Sequence, residues 1–116
     1  MELSFPNNKT RKTLSQEKTL RKTFGQLAPR IMQRIKELQA ALSLADISHL
    51  PPPRCHELSG DRKGVFSVDV SPNERLLFRP TRQPPETKMD GGIDLEKVRA
   101  VIVLGVEDTH EGKNRR

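Results

Sequence analysis

Three separated segments of this chain carry residue types that move protons or hold phosphates. The first, "RCHELSGDRKG", brings His56 together with Arg62 and Lys63. The second opens with Arg75, directly after the turn "SPNE". The third, "VEDTH", closes an apolar run with Asp108, Thr109 and His110. Histidine, with an unperturbed pKa of about 6.5, can take and give protons near neutral pH. Internal cleavage of RNA needs a base for the 2′-hydroxyl proton, an acid for the leaving 5′-oxygen and cations for the charge that builds on phosphorus. A nearby carboxylate can orient a histidine ring, and a guanidinium grips two phosphate oxygens at once. Two histidines, an acid and several cations therefore suit phosphodiester chemistry.

Each residue also has a plainer reading. His56 can be a hydrogen-bonded strand residue, Arg75 a solvated strand-end charge, and Asp108 with His110 the fraying end of the fold. Cys55 and His56 do not form a nucleophile pair, because neighbours in a strand point to opposite faces. A zinc site from His56, Asp108 and His110 has no recognised spacing.

The elements that must position these residues are set by composition and period. The 116 residues fit one domain with one core. Only four aromatic residues occur, all Phe, so the core rests on Leu, Ile and Val. A net charge of +6 favours polyanionic partners. No apolar run approaches the roughly 20 residues that span a bilayer. The N-terminus lacks a signal-peptide stretch, and the single cysteine, Cys55, agrees with a reducing compartment. A cytoplasmic protein is the expectation.

Glu2 to Phe5 is expected as a short strand ended by Pro6, with Asn7 or Asn8 capping a helix. The Lys-, Arg- and Thr-rich stretch that follows predicts one or two short helices. Their basic residues read most simply as a solvated face, with RNA or partner contact second. Leu20, Phe24, Leu27, Ile31, Ile35, Leu38 and Leu42 recur at steps of three and four, one helical face. Gly25 and Pro29 interrupt it, and the strongest helix is expected from about Pro29 to Leu44. "LPPPR" is a connector. Strands are expected at Arg54–Leu58, in "VFSVDV" and at Arg75–Arg79, the last two joined by "SPNE". Pro80 to Lys97 reads as a long loop with one helical turn in "IDLEKV". The final strand, "RAVIVLGVE", is apolar enough to be central and covered on both faces. This order predicts an α+β fold, N-terminal helices packed on one face of a small sheet of three or four mostly antiparallel strands.

The block "HELSGDRKGVFSVDV", then "ERLLFRP", then a strand ending in "VEDTH", resembles the HigB-type toxins of the RelE/ParE superfamily. The match runs in order from about Glu17 to His110. The resemblance implies one toxin domain over residues 1–110 and a flexible basic tail over 111–116. It implies a toxin of a type II toxin–antitoxin system that enters the ribosomal A site and cuts mRNA there, with no metal or other cofactor. Its partners would be the ribosome, mRNA and a helix-turn-helix antitoxin of HigA type, with DNA reached only through that antitoxin. Residue by residue, it implies His110 as the main proton-transfer group and Asp108 and His56 as groups that shape the site. Arg75 would stabilise the charged transition state. Lys63, Arg62 and Arg79 would hold RNA backbone.

Departures from the family pattern are local. Glu74 stands where many relatives have an aromatic residue, Phe66 replaces a frequent Trp, and Thr109 stands where Tyr is common. Thr109 cannot stack on a base, a contact worth about 1–3 kcal/mol in single-strand recognition. Two other functions are open to the same pattern. One is a gyrase-binding toxin like the ParE branch, which needs no proton donors. The other is a decayed, non-catalytic RNA-binding relative.

Overall fold

The structure is a computed structural model that describes residues 1–109 and the backbone of 113–114. The chain begins with β1 (Glu2–Ser4), α1 (Asn8–Ser15) and α2 (Glu17–Phe24), then α3 (Ala28–Ala40). Asn7 caps α1, its side-chain oxygen accepting from the Thr10 amide at 2.8 Å. Gln16 is extended between α1 and α2. Gly25, at φ 55°, ends α2 in a conformation that a side chain resists, and Pro29 sits in the first turn of α3. The expected break therefore falls between Gly25 and Ala28.

α3 stops at Ala40, four residues short of the expected end at Leu44. Ala41 is extended, so Leu42 leaves the stripe and is 83% exposed. Leu44, in the following 3₁₀ turn, fills the core instead.

The sheet comprises β2 (His56–Glu57), β3 (Phe66–Asp69), β4 (Glu74–Pro80), β5 (Ala100–Asp108) and β1, in the order β1-β5-β4-β3-β2. A two-residue β6 (Lys113–Asn114) pairs with the end of β5. β1 runs parallel to β5, and the remaining pairs are antiparallel. β2 is shorter than expected. Arg54 takes a left-handed conformation at φ 53°, and Cys55 bonds back to Ser48 across the proline connector, which leaves only His56 and Glu57 to pair with β3. The long loop after β4 contains a 3₁₀ turn at Leu95–Lys97 and a bridge between Thr87 and Ile93.

Leu14, Leu20, Phe24, Ala28, Ile31, Ile35 and Leu38 pack on one sheet face against Phe66, Val68, Leu76, Phe78, Val101, Val103 and Val106. Phe66 and Phe78, cross-strand partners, stack with ring centroids 6.0 Å apart, an arrangement worth about 0.5–1.5 kcal/mol beyond area burial. β5 is central, as its apolar sequence implies. It is fully covered on the helix side only: Ile102 and Leu104 remain half-buried.

The register of β5 shifts once. Phe78 pairs with Val103 but Leu77 pairs with Gly105, so Leu104 is an extra residue. Before the shift, Val101 and Val103 face the helices. After it, Val106 and Asp108 do, and Glu107 turns to the face away from them. Gly105, at φ 150°, makes the irregularity possible. Gly105→Val should lower unfolding stability by about 1–3 kcal/mol, read from the urea midpoint. An unchanged midpoint would show that the bulge tolerates a side chain.

Candidate functional site

Alternation and register assign one set of side chains to the sheet face opposite the helices. His56 on β2 pairs with Ser67 on β3, and Ser67 with Leu77 on β4. Asp69 pairs with Arg75, and Arg75 with Glu107. Arg79, two steps beyond Leu77, completes the row. Among the described residues no α-helix packs on this face, although Ser67, Leu77 and Glu107 on it are buried.

Its centre is Glu107. The carboxylate is 3% exposed and accepts from two arginines distant in sequence. Arg62, from the 3₁₀ turn Gly60–Arg62 between β2 and β3, approaches as a fork. Its Nη1 donates to Oε1 at 3.1 Å and its Nη2 to Oε2. Arg75 donates from Nη2 to Oε1 at 2.8 Å. Burial alone would raise the Glu107 pKa; the hydrogen bonds and positive charges of Arg62 and Arg75 outweigh it and hold the carboxyl below its ordinary range. Arg75 Nε and Ser67 Oγ are buried and find no partner among the described residues.

A second pair lies beside the first. Arg54 bonds Asp69 through Nε at 2.7 Å and Nη2 at 3.1 Å. The face thus alternates in sign, with Arg54, Arg62, Arg75 and Arg79 against Asp69 and Glu107, a surplus of cations. The loop that carries Arg62 and exposed Lys63 is closed by the Gly64 amide, which donates to Glu57 at 2.8 Å.

The structure brings some of the sequence-derived residues together and separates others. His56, Arg75 and Arg79 share the open face, and Arg62 reaches onto it. His56 is half-buried, with Nδ1 3.2 Å from the Arg54 carbonyl oxygen. Two strand spacings and one two-residue step separate it from Arg75, about 12 Å between Cα atoms. Arg75 donates instead to Glu107 on β5, on the opposite side of β4 from β2. Asp108, 7% exposed and paired in register with Glu74, lies on the helix side, away from Arg75. Thr109 is held at the β3–β4 turn, where its amide and hydroxyl both donate to the Asn73 carbonyl, at 2.7 and 3.0 Å. His110 lies outside the described residues. Cys55 is buried, which pushes its thiol up to about 11, so it is a packing residue and not a thiolate nucleophile at neutral pH.

Sequence reasoning missed Glu107. A signal existed in the Val-Glu-Asp order at a strand end, but which acid faces the arginines depends on a one-residue bulge. A separate cleft of about 570 Å³, lined by Pro29, Arg30, Arg34, Pro51, Pro52 and Pro72 among others, does not include Arg62, Arg75 or Glu107. Charge is also uneven across the molecule. Residues 8–40, the helical layer, hold nine Lys and Arg against two Glu, whereas the remaining residues hold twelve against thirteen acids.

The helices on one side of a mixed sheet and a charged face on the other make an α+β fold that is similar to that of a solved toxin structure. One solved structure with this likeness is a YoeB/ParE toxin from Agrobacterium tumefaciens. The TM-score is 0.55 at 13% identity, over 93% of this chain and 98% of the other. No family model matches the sequence, and no curated protein does. No helix among the described residues is long and apolar enough to cross a membrane.

The lowered Glu107 pKa fixes a sign. A carboxyl held below its unfolded value contributes stability above about pH 4.5 and loses it as pH falls through the folded value. Glu107→Gln should therefore be less stable than wild type at pH 7, with the gap in urea midpoint closing as pH drops below about 4.5. A gap constant from pH 7 to pH 3 would contradict the paired carboxylate.

Proposed function

We propose that this chain is the toxin of a type II toxin–antitoxin system, of HigB type, and that it cleaves mRNA on the ribosome. The observation that carries this reading is the cationic open face, where Arg62 and Arg75 converge at one end of the sheet and His56 stands on the same surface. A guanidinium pair at a strand end can accept a phosphodiester, and Arg75, 17% exposed, still reaches the surface while bonded to Glu107. In this reading Arg75 stabilises the charge that develops on phosphorus. Lys63, Arg62 and Arg79 hold the RNA backbone. His110, which follows β5 by two residues in the sequence, is the proton-transfer residue, and His56 shapes the substrate side. Asp108, turned toward the helices, would act on the site through the strand end rather than by touching substrate. The chemistry proposed needs two proton-transfer groups and cations, and no metal. The strongly basic helical layer, with Lys9, Arg11, Lys12, Lys18 and Lys22 exposed, suits a polyanionic surface such as ribosomal RNA.

A cytoplasmic location and a helix-turn-helix antitoxin of HigA type belong to the same proposal. A second reading, a gyrase-binding toxin of ParE type, is favoured by one observation: Glu107 already occupies the two arginines, as a site that never takes a phosphate would allow.

Induction of the chain alone in a bacterium, with mapping of mRNA 5′ ends, separates the two. Growth arrest with cuts at codon-fixed positions is expected, and Arg75→Ala should reduce cutting by roughly 10²-fold or more. His110→Ala should also abolish most cutting. Arrest without such cuts would overturn the nuclease reading in favour of gyrase.

A further inference from the structure

We infer that Glu107 is the positioning residue of the open face: it fixes the Arg75 guanidinium and ties the loop carrying Arg62 and Lys63 down onto the sheet. The inference rests on the nuclease reading above and deepens it.

Three features point this way. First, the contacts converge from distant parts of the chain. Glu107 joins the end of β5 to the start of β4 and to the β2–β3 loop, spanning 32 and 45 residues of sequence. Second, the contacts constrain orientation. The fork from Arg62 uses both carboxylate oxygens, and Arg75 shares one of them, so the two guanidiniums are set relative to each other. An arginine side chain is otherwise rotamer-rich, and a cation that must meet charge only in the transition state gains from being held in place beforehand. Third, a buried ion pair adds little net stability over apolar residues of similar size. Retaining charge at 3% exposure makes more sense as control of geometry than as glue.

Two other roles fit less well. As a general base, Glu107 would need an oxygen free to meet a 2′-hydroxyl, but both oxygens are committed to cations and the carboxyl is held ionised, hence weakly basic. As an ordinary strand-end charge it would be exposed, and it is not.

A residue that acts through Arg75 gives non-additive losses. The experiment is ribosome-dependent cleavage of a defined mRNA in single turnover, with Glu107→Gln, Arg75→Ala and the double variant, each first checked for folding by circular dichroism. In the wild-type background Glu107→Gln should lower the cleavage rate by roughly 10–100-fold, with the half-saturating toxin concentration changed by less than about threefold. In the Arg75→Ala background the same change should cost several-fold less than in the wild-type background, the remainder being the release of the loop that carries Arg62 and Lys63. Wild-type cleavage by Glu107→Gln, or losses that multiply, would overturn the role. If Glu107→Gln does not fold, Glu107→Asp keeps the charge on a shorter arm, and its cleavage at the wild-type rate would overturn the role equally. Absence of cleavage by the wild-type chain would overturn the nuclease reading and this role together. Multiplying losses in a chain that does cleave would remove this role alone.

Discussion

The carboxylate at the centre of the open face depends on one extra residue in β5. A strand alternates its side chains strictly, so the valines that fill the core at 101 and 103 would, without interruption, send residue 107 toward the helices. The bulge at Leu104 and Gly105 reverses that alternation halfway along the strand. Val106 takes over the core position, Glu107 meets Arg75 on the far side, and Asp108 is carried inward. A central strand can thus be apolar along its first half on the helix side and still deliver a carboxylate to the opposite surface at its end.

The reversal places a charge where burial is costly, and the arginines answer it. A carboxylate at 3% exposure without partners would be expected to take up a proton. Arg62 and Arg75 keep it ionised. Arg75 is itself placed by register, opposite Asp69 on one side and Glu107 on the other. Arg62 depends on a loop whose glycines permit the turn: Gly60 and Gly64 both have positive φ. The site is thus built from a strand start, a strand end and a turn that reaches across the sheet face from the β2–β3 connection, while the other face is held by the helical core. The basic helices contribute charge rather than chemistry, since they pack on the face away from Glu107.

Much of the frame was legible from the sequence because it rests on local rules. The asparagine cap, the break at Gly25 and the seven-residue apolar stripe are all short-range signals, and six of the seven stripe residues are buried or packed against the core. Leu42 failed because the chain leaves the helix at Ala41, a decision made by the packing of Leu44 and not by period. β2 was overestimated because Arg54 adopts a left-handed conformation at the end of the proline connector. Within the site, His56 and Arg75 could be singled out by type and by their place on strands. Glu107 could not, because its face depends on a bulge and its partners lie 32 and 45 residues away. Asp108, the acid that pattern favoured, sits on the other side for the same reason.

The central claim is that this surface cuts RNA by attack of a 2′-hydroxyl on the adjacent phosphate. The most direct measurement uses purified protein, ribosomes and a short mRNA carrying a single 2′-deoxy nucleotide on the 5′ side of the cut position, compared with the all-ribose message. The account predicts cleavage of the all-ribose message to a 2′,3′-cyclic or 3′-phosphate end, and none at the deoxy position. Cleavage that persists at the deoxy nucleotide, or an all-ribose message left intact on ribosomes that bind the protein, would contradict it.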